Sequence, residues 1–141
     1  VSPTRDVGGE QVRRALVEEL PGKVTSTWVD SMEPEQFWTE MATCAAMVGN
    51  SSAALIEAPV LRTPAVNIGD RQFGRVWSSN VINVRPICTQ KAIEEAIKEA
   101  VQMHPGLLDG VSPYGDGLAA AKIVQVLAEL GPPKGLLKKD W

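Results

Sequence analysis

A glycine–asparagine turn followed by two serines is the segment of this sequence best suited to chemistry. Its residues Gly49, Asn50, Ser51 and Ser52 follow the apolar run 45–48, which predicts a short buried strand. A helix predicted to start at the serines would offer unpaired N–H groups and the positive end of its dipole. Serine hydroxyls add further donors. The segment suits either a phosphate site or a plain helix cap, and residue types alone leave both interpretations open.

Two carboxylates, Glu57 and Asp116, lie at positions that suit either a binding site or a purely structural role. Glu57 lies within the predicted helix, which covers residues 51–61 until Pro59 breaks or kinks it. A carboxylate accepts hydrogen bonds from a vicinal diol such as the 2′ and 3′ hydroxyls of ribose. A solvated surface carboxylate is the alternative for Glu57, and residue type alone favours it. Asp116 precedes a predicted helix over 118–130 and suits a capping role.

Groups for other kinds of catalysis are sparse in the sequence. His104 is the only histidine, and it stands before Pro105 at a predicted helix end, where a basic ring suits the negative end of the dipole. Cys44 and Cys88 lie in unrelated contexts without metal-ligand spacing, which predicts two reduced thiols. We therefore predict neither a histidine-based triad nor a metal site.

Composition and charge narrow the class of partner. The chain has 141 residues, 44% hydrophobic and 22% charged, which suits one globular domain. Its net charge is −3 and its basic residues are scattered, which argues against nucleic acid. No apolar run approaches the ~18 residues of a membrane span, so we predict no membrane partner. The N-terminus lacks a signal pattern and a starting Met, so we expect a cytoplasmic protein that is processed or is a piece of a longer one.

The elements that would position these groups alternate between helical and strand patterns. The predicted helices cover residues 9–20, 33–43, 51–61, 90–103 and 118–130, and the predicted strands cover residues 23–29, 45–48, 64–68 and 80–84. This alternation predicts an α/β fold with a parallel, doubly wound, Rossmann-like sheet. A complete domain of this kind begins on a strand and has about five or six strands. We therefore predict a partial sheet that lacks its opening β-α unit.

Three motifs in order resemble the UDP-N-acetylglucosamine 2-epimerase family. The first joins Gly-Asn-Ser-Ser at 49–52 to Glu-Ala-Pro at 57–59. The second is Pro-Ala-Val-Asn-Ile-Gly-Asp-Arg-Gln-Phe-Gly-Arg at 64–75, and the third is Pro-Tyr-Gly-Asp-Gly at 113–117. The likeness covers about residues 3–130 and is closest to the hydrolysing branch that serves sialic-acid synthesis. A related glycosyltransferase fits the second and third motifs less well.

This resemblance implies a two-domain, glycosyltransferase-B-like fold with the active site in the cleft. The chain would supply a truncated C-terminal UDP-binding domain over residues 1–130, followed by a C-terminal tail over 131–141. The family's acidic catalytic groups lie in the N-terminal domain, and a His-Arg-rich motif opens its C-terminal domain. This chain contains neither feature. The resemblance therefore implies no catalytic residue and no cofactor in this chain, and a missing N-terminal domain or partner chain.

The resemblance also implies a binding site for UDP. Its residues are Thr4, Met32, Gly49, Asn50, Ser51, Ser52, Glu57 and Arg71. Ser51 and Ser52 would hold the diphosphate, and Glu57 would bind the ribose hydroxyls. Arg71 would lie beside the nucleotide, where a guanidinium suits phosphate oxygens. Met32 would present its backbone to the uracil.

Four positions depart from the family pattern. Thr4 stands where the family usually has Asn near the nucleotide. Ala54 replaces a Gly beside the diphosphate, where its methyl would crowd a phosphate or a facing strand. Arg62 replaces a Gly before the strand at 64–68, a change that either disfavours a left-handed turn there or adds a surface charge. Ser112 replaces an Asn. The changes at Ala54, Arg62 and Ser112 remove no implied ligand group.

The family reaction begins with elimination of UDP from UDP-N-acetylglucosamine to give 2-acetamidoglucal, to which UDP or water then adds. The resemblance implies that this chain is the UDP-binding part of such an enzyme and is inactive alone. The alternative is a free-standing nucleotide-binding module, derived from that family, which self-associates through an exposed sheet edge and apolar face. We expect a homo-oligomer in either case.

Overall fold

The computed structural model describes residues 8–19, 27, 29–103, 106 and 108–130 of the chain. The chain divides into two compact units, Val1–Glu40 (unit 1) and Met41–Trp141 (unit 2). Within the described ranges, none of the helices combines the length and apolar character that crossing a bilayer requires.

Two helices begin in unit 1. Helix α1 (Gly9–Glu19) confirms the helix predicted over residues 9–20, and helix α2 (Pro34–Thr43) confirms the one predicted over 33–43. Helix α2 starts on a proline, whose missing N–H is tolerated in a first helical turn. The strand predicted over 23–29 falls almost entirely outside the described residues, and its two described positions do not belong to a strand.

Unit 2 is built on a parallel three-stranded sheet. Its strands are β1 (Met47–Gly49), β2 (Ala65–Ile68) and β3 (Val81–Val84), with β2 in the centre. Both strand pairs are parallel, β1 with β2 and β2 with β3. Three of the four predicted strands are therefore confirmed. The strand predicted over 45–48 lies slightly later in the chain, at Met47–Gly49. The prediction of a partial, Rossmann-like α/β fold is also confirmed.

Helix α4 (Gln90–Gln102) follows β3 and packs on β2 and β3. Thr89 caps this helix as predicted, because its Oγ1 accepts a hydrogen bond of 3.2 Å from the Ala92 N–H. The small residues of the helix allow its backbone to approach the sheet closely. The core between the two consists of four buried residues, Val66, Val84, Ala96 and Ala100.

Helix α3 (Ala53–Ile56) is only four residues long, so the helix predicted over 51–61 is wrong beyond Ile56. Pro59 has no N–H with which to continue a helical ladder. The Ala58 N–H instead donates to the Ala53 oxygen, five residues back, at 2.9 Å. Turns then continue as far as residue 62. Glu57 consequently sits at the end of a short helix and not along the face of a longer one.

Helix α5 (Ala119–Glu129) has no buried residue. The side chains of Ile123 and Leu127, on its apolar stripe, are each more than half exposed. Asp116 binds the loop before the helix, because its Oδ1 accepts a 3.0 Å hydrogen bond from the Leu118 N–H. Leu118 itself occupies the capping position, so Asp116 fixes the approach to the helix and is not its cap.

Candidate functional site

The carboxyl ends of the three parallel strands lie at one edge of the sheet, which we call the carboxyl edge. Gly49 at the end of β1 pairs with Asn67 of β2, and Asn67 pairs with Asn83 of β3. The loops that follow the three strands therefore leave the sheet at this edge. Ligands of open parallel sheets bind beyond the carboxyl ends of the strands, so these loops are the place to look for a site.

The loop after β1 contains the predicted phosphate segment. Gly49 has a φ of 151°, in a region that side chains disfavour, so the turn there requires glycine for its backbone. The Ser51 Oγ accepts a 3.3 Å hydrogen bond from the Ala53 N–H, as a capping serine would. Ser52 occupies the N-cap position of α3, yet its side chain makes no capping hydrogen bond. The Ser52 hydroxyl is therefore not used to cap the helix.

Gln72 joins the loop after β2 to the loop after β1. Its side chain is 3% exposed, and its Nε2 donates a 2.6 Å hydrogen bond to the Asn50 carbonyl oxygen. The partners are 22 residues apart in sequence. Gln72 lies inside the second family-like motif, but nothing local in the sequence indicates that it would reach back to the first.

Two further contacts hold the loop after β2. The Asn67 side chain is fully buried and donates from Nδ2 to the Gly69 carbonyl oxygen at 3.0 Å. The Arg85 guanidinium lies 2.9 Å from an Asp70 carboxylate oxygen and 4.6 Å from the centre of the Phe73 ring. Arg85 follows β3 directly, so these contacts join the second and third loops of the carboxyl edge. Sequence reasoning missed Arg85, since a lone arginine after a strand carries no signal of its partners.

Glu57 and Arg71 are the two charged residues of the predicted site in unit 2. Glu57 is half-buried, and its Oε2 atom is buried without a hydrogen-bond donor among the described residues. A carboxylate oxygen in that position is costly unless something donates to it, so Glu57 is not simply a solvated surface group. Arg71 is exposed, in the loop after β2 that also contains Gln72.

The remaining predicted ligands belong to unit 1. Met32 is half-buried in the loop before α2. Thr4 lies outside the described residues. The carboxyl edge holds only the residues predicted for the diphosphate and the ribose, and all eight ligand assignments stay predictions.

A comparison with known families decides the class of protein. Residues 2–128 match the family model described as UDP-N-acetylglucosamine 2-epimerase. The chain belongs to this family. The match covers all three motifs and the whole of the described sheet.

Relatives in the UDP-N-acetylglucosamine 2-epimerase family agree with this membership. The UDP-N,N'-diacetylbacillosamine 2-epimerase (hydrolyzing) of Legionella pneumophila is 30% identical over 139 residues, which is 99% of this chain and 36% of that protein. The GDP/UDP-N,N'-diacetylbacillosamine 2-epimerase (hydrolyzing) of Campylobacter jejuni is 41% identical over 54 residues, 38% of this chain and 14% of that protein. A UDP-N-acetylglucosamine 2-epimerase of Neisseria meningitidis is 29% identical over 116 residues, 82% and 30% respectively. This chain thus spans 36% of the length of the Legionella pneumophila protein and smaller shares of the other two.

The fold accommodates three departures from the family pattern, those at Ala54, Arg62 and Ser112. Ala54 is 2% exposed, so its methyl group lies in the protein interior and not at an open position beside the carboxyl edge. Arg62 has a φ of 56°, so the left-handed turn is kept although glycine is absent. The Ser112 Oγ accepts a 3.2 Å hydrogen bond from the Tyr114 N–H, which gives a serine turn where the family usually has an asparagine.

The third motif is tied to the loop after β2. The Tyr114 hydroxyl donates to the Val76 carbonyl oxygen at 3.0 Å. A hydrogen bond from the Lys122 ammonium, followed by one from the Leu118 N–H, holds the pKa of Asp116 below its ordinary value. Asp116 is therefore ionised at neutral pH and fixes the start of α5.

Proposed function

We propose that this chain is the UDP-binding part of a UDP-N-acetylglucosamine 2-epimerase. The observation that carries the proposal is the position of the Gly49–Ser52 turn at the carboxyl edge, with the Ser52 hydroxyl not used to cap α3. Hydroxyl and backbone donors at this position suit the oxygens of a diphosphate. The proposed domain covers residues 1–130, with a C-terminal tail at 131–141.

Each proposed contact follows from the chemistry of the nucleotide. Ser51 and Ser52 donate to the diphosphate, and the Arg71 guanidinium neutralises part of its charge. Glu57, which is half-buried, accepts hydrogen bonds from the ribose 2′ and 3′ hydroxyls. Met32 presents its backbone to the uracil, with Thr4 near the nucleotide.

The reaction that this site would serve begins with removal of the proton at C2 of the sugar. The C1–O bond then breaks, its electron pair leaves with UDP, and a C1–C2 double bond forms, which gives 2-acetamidoglucal. Addition of water, or of UDP with inversion at C2, completes the sequence. Donors around the diphosphate stabilise the charge that develops on the leaving group. We assign no catalytic base to this chain, so it is inactive without an N-terminal domain or partner chain.

Calorimetric titration of the 141-residue chain with UDP tests the proposal. Ser51→Ala and Glu57→Ala should each weaken UDP binding, because each removes a group that contacts the nucleotide. Ser78→Ala and Glu94→Ala are matched controls, since both residues make hydrogen bonds away from the Gly49–Ser52 turn. UDP binding that is equal in all four variants and the wild type would refute the assignment of the site.

A kinetic measurement tests the assignment of the catalytic groups. The chain alone should release no UDP from UDP-N-acetylglucosamine. Hydrogen-bond donors around the diphosphate stabilise the leaving group, but the elimination does not begin until a base removes the proton at C2. Release of UDP above the buffer rate by the pure 141-residue chain would show that this chain holds the base.

The second candidate function, a self-associating module, is favoured by the exposed apolar stripe of α5. Ile123 and Leu127 place branched side chains in solvent on consecutive turns of one helix. A second copy of the chain would cover them in a homo-oligomer. Light scattering on the wild type and on Leu127→Asp distinguishes the cases, since a module of this kind should change from oligomer to monomer. A wild type that is monomeric at all concentrations contradicts it.

A further inference from the structure

Gln72 is buried to a degree that a loop glutamine seldom reaches. It is 3% exposed, and its Nε2 donates to the Asn50 carbonyl oxygen at 2.6 Å, a short distance for this kind of bond. Its Oε1 atom is buried and has no hydrogen-bond donor among the described residues. An amide with one end unsatisfied is expensive to bury, so plain packing does not account for the residue type at this position.

The hydrogen bond fixes the direction of a backbone donor. In a trans peptide, the carbonyl oxygen of one residue and the N–H of the next lie in one plane and point in opposite directions. Because the Asn50 oxygen points to the buried Gln72 amide, the Ser51 N–H points away from it. The Ser51 N–H reaches no acceptor among the described residues. The next donors along the chain are both used, because the Ala53 N–H donates to the Ser51 hydroxyl oxygen and the Ala54 N–H donates to the Ser51 carbonyl oxygen.

We propose that Gln72 is a positioning residue, which holds the Asn50–Ser51 peptide so that the Ser51 N–H is directed at a phosphate oxygen of a nucleoside diphosphate. This inference rests on the proposed function and names how its diphosphate site is kept in shape. Without Gln72 the peptide would rotate among orientations, and binding would carry the entropy cost of selecting one. Gln72 acts through the backbone of the turn and does not itself contact the ligand.

Thr63 provides a matched control for the loss of a buried hydrogen bond. Its Oγ1 donates to the Met41 carbonyl oxygen at 2.9 Å, and it is 2% exposed. Thr63 precedes β2, at the opposite edge of the sheet from the turn. Thr63→Val and Gln72→Met therefore each remove one buried bond from a side chain to the main chain while preserving the approximate shape of the side chain.

The test compares UDP binding and backbone amide spectra of the 141-residue chain in these two variants. Both should lower the unfolding midpoint. Only Gln72→Met should weaken UDP binding, by roughly tenfold, since one phosphate donor is no longer held in place. Only Gln72→Met should shift the Ser51 amide signal in a ¹H–¹⁵N spectrum recorded without UDP. Equal UDP affinity in Gln72→Met and the wild type would overturn the proposal, as would an unmoved Ser51 signal.

The spectra separate failure of this inference from failure of the proposed function. If the wild type does not bind UDP, the proposed function fails for the chain alone, whereas the Ser51 signal still decides whether Gln72 orients the peptide. If Gln72→Met does not fold, the hydrogen bond itself is tested in the wild type. Its Gln72 side-chain amide should show a coupling across the hydrogen bond to the Asn50 carbonyl carbon, and absence of that coupling overturns the proposal.

Discussion

Replacement of Asn80 by alanine tests how unit 2 holds the turn that follows β1. The Asn80 side chain is 1% exposed, and its Nδ2 donates to the Thr63 carbonyl oxygen at 2.9 Å and to the Ala54 carbonyl oxygen at 3.3 Å. One amide thereby joins α3, the segment before β2 and the start of β3. We expect Asn80→Ala to loosen the contact of α3 with the segments that precede β2 and β3.

The expected loss in the free energy of unfolding is about 2–4 kcal/mol. Two buried carbonyl oxygens lose their donor, at roughly 1–3 kcal/mol each, and the longer bond to Ala54 belongs at the low end of that range. Part of the loss is offset because the Asn80 Oδ1, which is buried without a donor among the described residues, also leaves the interior.

Urea denaturation followed by tryptophan fluorescence measures this loss. Asn83→Ala is the matched control, because Asn83 is an exposed asparagine within β3, three residues after Asn80, and its Oδ1 accepts a 3.1 Å bond from Asn67. We expect that control to cost under about 1 kcal/mol. A cost for Asn80→Ala that is no larger than that of Asn83→Ala would refute the reasoning.

Three further predictions concern the core and two of the exposed ion pairs. Val66→Ala, at a fully buried core position, should lower the free energy of unfolding by about 2–3 kcal/mol in thermal denaturation, and a loss under about 1 kcal/mol would place the core elsewhere. Lys122→Gln should raise the pKa of Asp116 toward its ordinary value in a carboxyl NMR titration. An unchanged Asp116 titration in this variant would contradict the assignment. Because the pKa of Asp116 is lower in the folded state, its ion pair stabilises the fold above the ordinary pKa, and this stabilisation is lost as the pH falls through the lowered pKa. Arg85→Ala should cost at most about 1 kcal/mol, since its ion pair with Asp70 is partly exposed, and a much larger loss by urea denaturation would mean that the pair does more than join two loops.

The strands and helix that form the core could be predicted from the sequence. The runs at 64–68 and 80–84 are short, apolar and bounded by turn residues, which is typical of a buried parallel strand. Helix α4 has a threonine cap and a sustained helical period, so local signals and tertiary packing agree there. The carboxyl edge followed from these elements, because parallel strands bring their ends to one side of a sheet.

Interactions between distant segments account for what the sequence did not reveal. The helix predicted over 51–61 stops at Ile56, since Pro59 cannot continue its hydrogen-bond ladder and the distant Asn80, just before β3, donates to the Ala54 carbonyl oxygen. Gln72 was part of a recognised motif, but its role depends on a partner 22 residues away. Patterns within one segment carry no information on such partners.

The parallel arrangement of the sheet also sets how fast it can assemble. Met47 pairs with Ala65, 18 residues later (65 − 47), and Ala65 pairs with Val81, 16 residues later (81 − 65), so no pair of strands can form as a tight hairpin. Each pairing closes a long loop, and the entropy of closure is lost before the contacts form. Unit 2 should therefore fold more slowly than a helical protein of its size. Strand β2 takes part in both pairings and carries Val66, so we expect it to be structured in the transition state for folding.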